Sequence, residues 1–117
     1  MKDMITASAL ELLTFFEVEP TSREPGEPWP YNDWLYETVR RDVAVSFAVS
    51  PAVRDVRLIL RRAEATIYEL NALQVDDVLY HRDRPGDALE LVLSARDRLW
   101  LRLKPQVTIL HALSGRI

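Results

Sequence analysis

The strongest constraint on this chain is a period-two alternation of apolar and polar residues that begins near residue 34. Short runs rich in valine, leucine, isoleucine and tyrosine follow one another at about ten-residue spacing, which is typical of β-strands. The connections are too short for crossover helices, so neighbouring strands should pair antiparallel. We predict seven strands and a possible eighth. They cover residues 34–40, 43–50, 54–62, 65–72, 77–82, 88–94 and 98–104, with 106–111 as the eighth.

An amphipathic helix is predicted before the strands. Apolar residues recur at spacings of three and four over residues 5–18, and Ser8 with Glu11 matches the capping-box pattern. Residues 19–33 hold four of the seven prolines, which favours an extended connector because proline fixes φ and lacks a backbone donor. The aromatic residues of this connector indicate that it is pinned to the domain surface.

Together these elements predict an α+β fold. An N-terminal helix and a proline-rich crossing lead into a seven- or eight-strand antiparallel meander, strongly curved, over residues 34–111. The chain has 117 residues, 48% of them hydrophobic, which suffices for one core and is too short for two domains. We therefore expect a single domain over 1–117. A closed up-and-down barrel is the alternative, because closure leaves no sheet edge unpaired.

The hairpins predict which side chains meet on the outer face of the sheet. Turns at residues 62–64 and 95–97 would bring opposite charges and apolar side chains together there. The resulting pairs are Arg57 with Glu69, Ile59 with Ile67, Glu90 with Arg102, and Val92 with Trp100. An apolar centre inside a charged rim has the anatomy of a protein interface.

This face favours a non-enzymatic protein–protein interaction module that forms a homodimer. The predicted interface residues are Ile59, Ile67, Val92 and Trp100. An antitoxin-like or immunity-type role also fits a small acidic binding protein, although nothing in the sequence selects it. A small-ligand binder is the second hypothesis, with a pocket between the helix, the aromatic connector and the curved sheet. That pocket would be lined by Trp34, Tyr36, Phe47 and Tyr80.

An enzyme that uses Glu37 or His81 is the third hypothesis. Burial of Glu37 would raise the pKa of its carboxyl group, but a buried unpaired carboxylate is costly. We therefore favour the opposite arrangement, with Tyr36 inward and Glu37 in water. His81 and Asp83 form only a weak metal-binding pattern, so no metal or cofactor is assigned. The absence of cysteine excludes a disulfide framework and a thiol nucleophile.

Charge divides the chain into two parts. Residues 1–37 carry eight acids and two bases, a net −6, whereas residues 38–117 carry ten acids and thirteen bases, a net +3. We expect the acidic part to lie along the arginines of the sheet, in the same or a second subunit. The overall charge of −3 argues against a nucleic-acid partner, and no apolar stretch is long enough for a membrane span. Without cysteine or an export-signal pattern, a cytoplasmic location is predicted.

Overall fold

A computed structural model describes residues 4–82 and 86–113 of the chain. One α-helix, one short 3-10 helix and nine strands are assigned within these residues. They are α1 (Ala9–Phe16), β1 (Thr21–Ser22), the 3-10 helix (Trp29–Tyr31), β2 (Trp34–Arg40), β3 (Val43–Ser50), β4 (Asp55–Arg62), β5 (Ala65–Ala72), β6 (Asp77–His81), β7 (Ala88–Ser94), β8 (Asp97–Arg102) and β9 (Thr108–Leu113). The predicted α+β fold with an antiparallel meander is confirmed. The sequence analysis did not predict β1.

The meander is divided into two antiparallel sheets. The first has the strand order β1-β2-β3-β4-β5 and the second β6-β7-β8-β9, so the described strands do not form the alternative closed barrel. The chain leaves the first sheet after β5, where Gln74 has a φ of 53°. This crossing is fixed to the first sheet because the Val75 amide donates to the Arg54 carbonyl at 2.9 Å and the Arg54 Nε donates to the Val75 carbonyl at 2.8 Å.

Both sheets turn one side towards a shared core. Every second residue of β3 is buried against the core, and Val56, Leu58 and Leu60 of β4 lie beside them. The intervening residues of β3 are small: Ala44, Ser46 and Ala48. The helix joins this core, and its Phe16 ring stacks on Tyr36 and Phe47 with ring centroids 5.1 and 5.4 Å apart. The largest fully buried side chains are Tyr36, Phe16, Phe47, Ile5, Leu12, Leu58, Leu89, Leu91, Leu99, Leu101, Val45 and Val49.

The helix is shorter than the predicted 5–18. Its capping box is confirmed: the Glu11 amide donates to the Ser8 hydroxyl at 3.1 Å, and the Ser8 amide donates to the Glu11 carboxylate at 3.0 Å. A residue in that capping position has an extended backbone, so the helix begins after Ser8. The preceding residues run beside β6, where the Ala7 amide donates to the Val78 carbonyl at 2.9 Å. The helix ends before Glu17, whose φ is 60°.

The predicted register of β4 and β5 is wrong. Their turn holds two residues rather than three, because Ala63 and Glu64 both have a positive φ, as the tightest hairpin turns require. A further irregularity between Leu60 and Arg61 shifts the pairing again. Ile59 therefore lies opposite Glu69 rather than Ile67, and Arg57 opposite Asn71. The Arg57 guanidinium nevertheless reaches Glu69 diagonally at 3.2 Å.

The predicted register of β7 and β8 is also wrong. Ser94 pairs with Asp97, so the turn again holds two residues, and the register shifts between Val92 and Ser94. As a result Glu90 lies opposite Trp100, Val92 opposite Arg98, and Ala88 opposite Arg102. Each predicted pair on this hairpin is displaced by two positions, which keeps every side chain on its predicted face.

The connector is pinned to the domain, as predicted. The Trp34 indole Nε1 donates to the Trp29 carbonyl at 3.0 Å, and the two rings stack with centroids 5.3 Å apart. Asn32 is 3% exposed and its amide group bonds the Glu24 backbone twice, at 3.1 and 2.7 Å. No helix in the described part of the chain has the length and hydropathy needed to cross a membrane.

Candidate functional site

The outer face of the first sheet is hollowed along its middle strand, β3. The three small side chains of that strand form the floor, and the longer side chains of β2 and β4 stand on either side as walls. We call this hollow the outer trough. Its residues are Leu35, Glu37 and Val39 on β2, Ala44, Ser46 and Ala48 on β3, and Arg57, Ile59 and Arg61 on β4.

The outer trough is open to solvent and large enough for several side chains. Two adjoining cavities of about 420 and 390 Å³ lie along it, and Ser46, Arg57 and Ile59 line both. Ile59 is only 9% exposed although it points away from the core, so the middle of the β4 wall is apolar. The trough thus combines apolar side chains with the charged groups of Glu37, Arg57 and Arg61.

The two walls of the outer trough carry opposite charges. Glu37 stands on β2, where it is exposed, whereas Arg57 and Arg61 stand on β4, about 10 Å away across two strand spacings. Arg57 is paired with Glu69, and hydrogen bonds from Asn71 and Arg57 lower the pKa of that carboxyl group. Within the described residues, neither Glu37 nor Arg61 has an ion-pair partner.

The outer face of the second sheet carries a buried charge. The Glu90 side chain is 3% exposed, and its two oxygens contact different partners, the His81 Nε2 at 2.8 Å and the Arg98 Nη1 at 2.7 Å. The His81 ring lies against Trp100, with centroids 5.0 Å apart. Glu90 was expected on an exposed rim opposite Arg102. The structure instead places it between two bases, which satisfies both of its oxygens.

The structure separates the four predicted interface residues. Ile59 and Ile67 belong to the first sheet, while Val92 and Trp100 belong to the second. Ile59 and Val92 are 9% and 8% exposed, and Ile67 is 51% exposed. They do not share a single face, because the meander divides between β5 and β6. The predicted homodimer through this set stays a prediction.

The predicted ligand-binding residues are drawn into the core or against the connector. Tyr36 and Phe47 are fully buried, and Tyr80 lies edge-on to Phe15 with ring centroids 6.4 Å apart. Burial raises the pKa of the Tyr36 hydroxyl. Trp34 stacks on the connector and borders the outer trough. The ring of Phe16 fills space between the helix and the sheet that the predicted pocket would need.

The two candidate catalytic residues lie far apart in the topology. Glu37 is on β2 with its side chain in water, as favoured from the sequence, and the adjacent Tyr36 points into the core. His81 is on β6 of the other sheet, next to Glu90. No group of three potential metal ligands occurs in the described residues, and Asp83 of the weak metal pattern lies outside them.

Part of the acidic N-terminal region meets bases of the domain. The Glu17 carboxylate contacts the Lys104 Nζ at 2.8 Å and the Arg40 Nη2 at 3.1 Å. Hydrogen bonds from these two bases lower the pKa of Glu17. Glu24 and Glu27 of the connector are exposed. The expected pairing with the sheet arginines is therefore seen at Glu17 and Arg40.

Sequence reasoning missed the outer trough, although its cause is visible in the sequence. The polar side of β3 reads alanine, serine, alanine, whereas the corresponding positions of β2 and β4 hold long side chains. A strand of small residues between two strands of large ones leaves a hollow. The burial of Glu90 could not be predicted in the same way, because it depends on the strand register that brings His81 and Arg98 to its two oxygens.

Comparison with known proteins gives one structural likeness. No protein-family model matches the sequence, and no curated protein is significantly similar to it. The structure is similar to a chain of the contact-dependent growth inhibition toxin–immunity protein complex from Klebsiella pneumoniae 342. The TM-score is 0.78 at 22% sequence identity, and the likeness covers 96% of this chain and 98% of that one. At this identity the likeness shows a shared fold.

Proposed function

We propose that this chain is an immunity-type protein, a non-enzymatic module that binds a toxin polypeptide and blocks its activity. The observation that carries the proposal is the full-length likeness to a chain of a toxin–immunity protein complex. The likeness covers nearly all of both chains. The helices and strands from which that protein could build a binding surface therefore have counterparts in this chain. The cytoplasmic location predicted from the sequence is part of the same proposal.

Two features favour the immunity side of such a complex over the toxin side. The candidate catalytic residues Glu37 and His81 lie on the outer faces of different sheets, where they do not act on one substrate group. The chain also carries a net charge of −3, with exposed acids on the connector, which speeds association with a basic partner.

The outer trough is the surface that we assign to the toxin. Its occupant would be an exposed segment of the toxin that places an apolar side chain over Ile59. A basic group of the same segment would face Glu37 and an acidic group would face Arg61, because each charge lacks an ion-pair partner within the described residues. Charges in this arrangement fix the orientation of the segment more than they add affinity.

Growth protection tests this proposal. The chain is co-expressed with each polypeptide from the same locus that arrests growth when it is expressed alone. We expect restored growth and a stable complex of the two polypeptides on size-exclusion chromatography. Unchanged toxicity in the presence of the folded chain would contradict the proposal, and so would a locus that encodes no toxin.

A further inference from the structure

Three of the four sheet edges are protected in the described part of the chain. On one side the first sheet ends in β1, which is only two residues long, and in residues 36–40 of β2, which carry the charged Glu37 and Arg40. On the other side it ends in β5, whose pairing is irregular and which carries Glu69. The free side of β6 is covered by the segment that precedes the helix, where the Ala7 amide donates to the Val78 carbonyl. Short length, irregularity, charge and covering are the usual ways to prevent edge-to-edge pairing.

Among residues 4–82 and 86–113, none gives the fourth edge, β9, any of these protections. It is six residues long and contains no lysine, arginine, aspartate, glutamate or proline. Leu110 and Leu113 are 63% and 76% exposed. The titratable residue of the strand, His111, already contacts Asp97 of β8. An uncharged, regular edge with exposed leucines is a template for another strand.

We propose that β9 pairs antiparallel with β9 of a second copy of this chain and extends the second sheet to eight strands. A two-fold axis beside Leu110 places this residue against its own copy. Thr108 then lies opposite Ala112 of the second copy, on the same face. An axis beside His111 is less favourable, because it would set two imidazole groups directly opposite each other.

The occupant is a second copy because the strand is complementary to itself. No fixed charge on β9 repels an identical strand, and a two-fold contact uses the same surface on both subunits. Leu110 lies opposite Trp100 on the outer face, so the pairing joins the two tryptophan–leucine rows into one apolar band. This goes beyond toxin binding, since the outer trough is on the other sheet and stays free in each subunit.

The mass in solution tests the dimer. Light scattering on the eluted protein between about 1 and 100 µM should give twice the chain mass of 13.5 kDa. Leu110→Lys sets two ammonium groups opposite each other and should give monomers. Ile67→Lys makes the same kind of change at the exposed β5 edge and should remain dimeric. A monomeric wild type, or a dimer that survives Leu110→Lys, would overturn the proposal.

A cross-link tests the register. The chain has no cysteine, so any disulfide formed by a single-cysteine variant must join two copies through the introduced residue. Directly opposite Cα atoms of antiparallel strands are about 4.5–5.5 Å apart, within the range of a disulfide. Leu110→Cys should therefore form a covalent dimer on mild oxidation. Leu113→Cys, on the same strand but roughly 20 Å from its copy in this register, should not. Equal cross-linking of the two variants, or none, contradicts the register.

Discussion

Phe16 joins the helix to the first sheet through its contacts with Tyr36 and Phe47, and its removal gives a quantitative test of the core. It is fully buried, and its ring contacts the rings of Phe15, Tyr36 and Phe47. Phe16→Ala loses this burial and leaves a cavity, at a cost of about 3–5 kcal/mol. We expect the upper half of that range, because each aromatic pair adds about 0.5–1.5 kcal/mol beyond burial.

Urea unfolding measures this loss. A 117-residue domain has a free energy of unfolding of roughly 6–18 kcal/mol, so the variant should still fold. With a denaturant slope of about 2 kcal/mol per molar urea, the midpoint should fall by roughly 2 M and the slope should not change. Leu10→Ala is the matched control, because Leu10 is 70% exposed on the same helix and its removal should cost less than about 0.5 kcal/mol.

A loss of less than about 1.5 kcal/mol for Phe16→Ala would refute this account of the core. It would mean that the space beside Tyr36 and Phe47 is loosely packed. The small-ligand pocket predicted at these residues would then regain support.

Three further outcomes are expected. Gly86→Ala should cost about 1–3 kcal/mol in urea unfolding, since a Cβ there would lie 2.6 Å from the Lys104 carbonyl oxygen; an unchanged midpoint would argue against this close approach. Glu17→Gln should reduce the loss of unfolding free energy that accompanies a fall in pH below about 4.5. The pKa of Glu17 is lowered in the folded state, so its contribution is present above its ordinary value of 4.5 and disappears as the pH falls below it. If the unfolding free energies of the wild type and the variant fell equally with pH, the ion pairs of Glu17 would contribute nothing to stability. Glu90→Gln should cost about 1–2 kcal/mol through weaker bonds to two partly exposed bases, and a stabilised variant would contradict that role.

The alternation of residues was sufficient to predict β2 to β9 but not the two-residue β1, because only a longer half-buried strand shows a visible alternation. The inward face of β3 and the outward position of Glu37 follow directly from that parity. The capping box was readable for the same reason, since Ser8 and Glu11 interact locally. Such features depend on residues that are close in sequence.

The features that could not be predicted depend on contacts between distant segments. The chain crosses to the second sheet after β5, so β5 and β6 do not pair, and hydrogen bonds between Arg54 and Val75 fix this crossing. The alternation of residues within β5 or β6 does not indicate where such a crossing occurs. The registers failed because turn length was assumed, and φ values such as that of Ala63 are not evident from an alanine. The interface prediction assumed one continuous sheet and the predicted hairpin registers. Its four residues were therefore assigned to one face, whereas they lie on the faces of two different sheets.

Calorimetric titration of the purified chain with the toxin polypeptide identified by growth protection tests the central claim most directly. Saturable binding with one toxin per chain is expected. Ala44→Tyr, which fills the outer trough, should weaken it at least tenfold, or about 1.4 kcal/mol. Ala65→Tyr, at an exposed strand position outside the trough, should bind like the wild type. No binding by the wild-type chain, or equal affinities for the two variants, would contradict the claim that this chain holds a toxin in its outer trough.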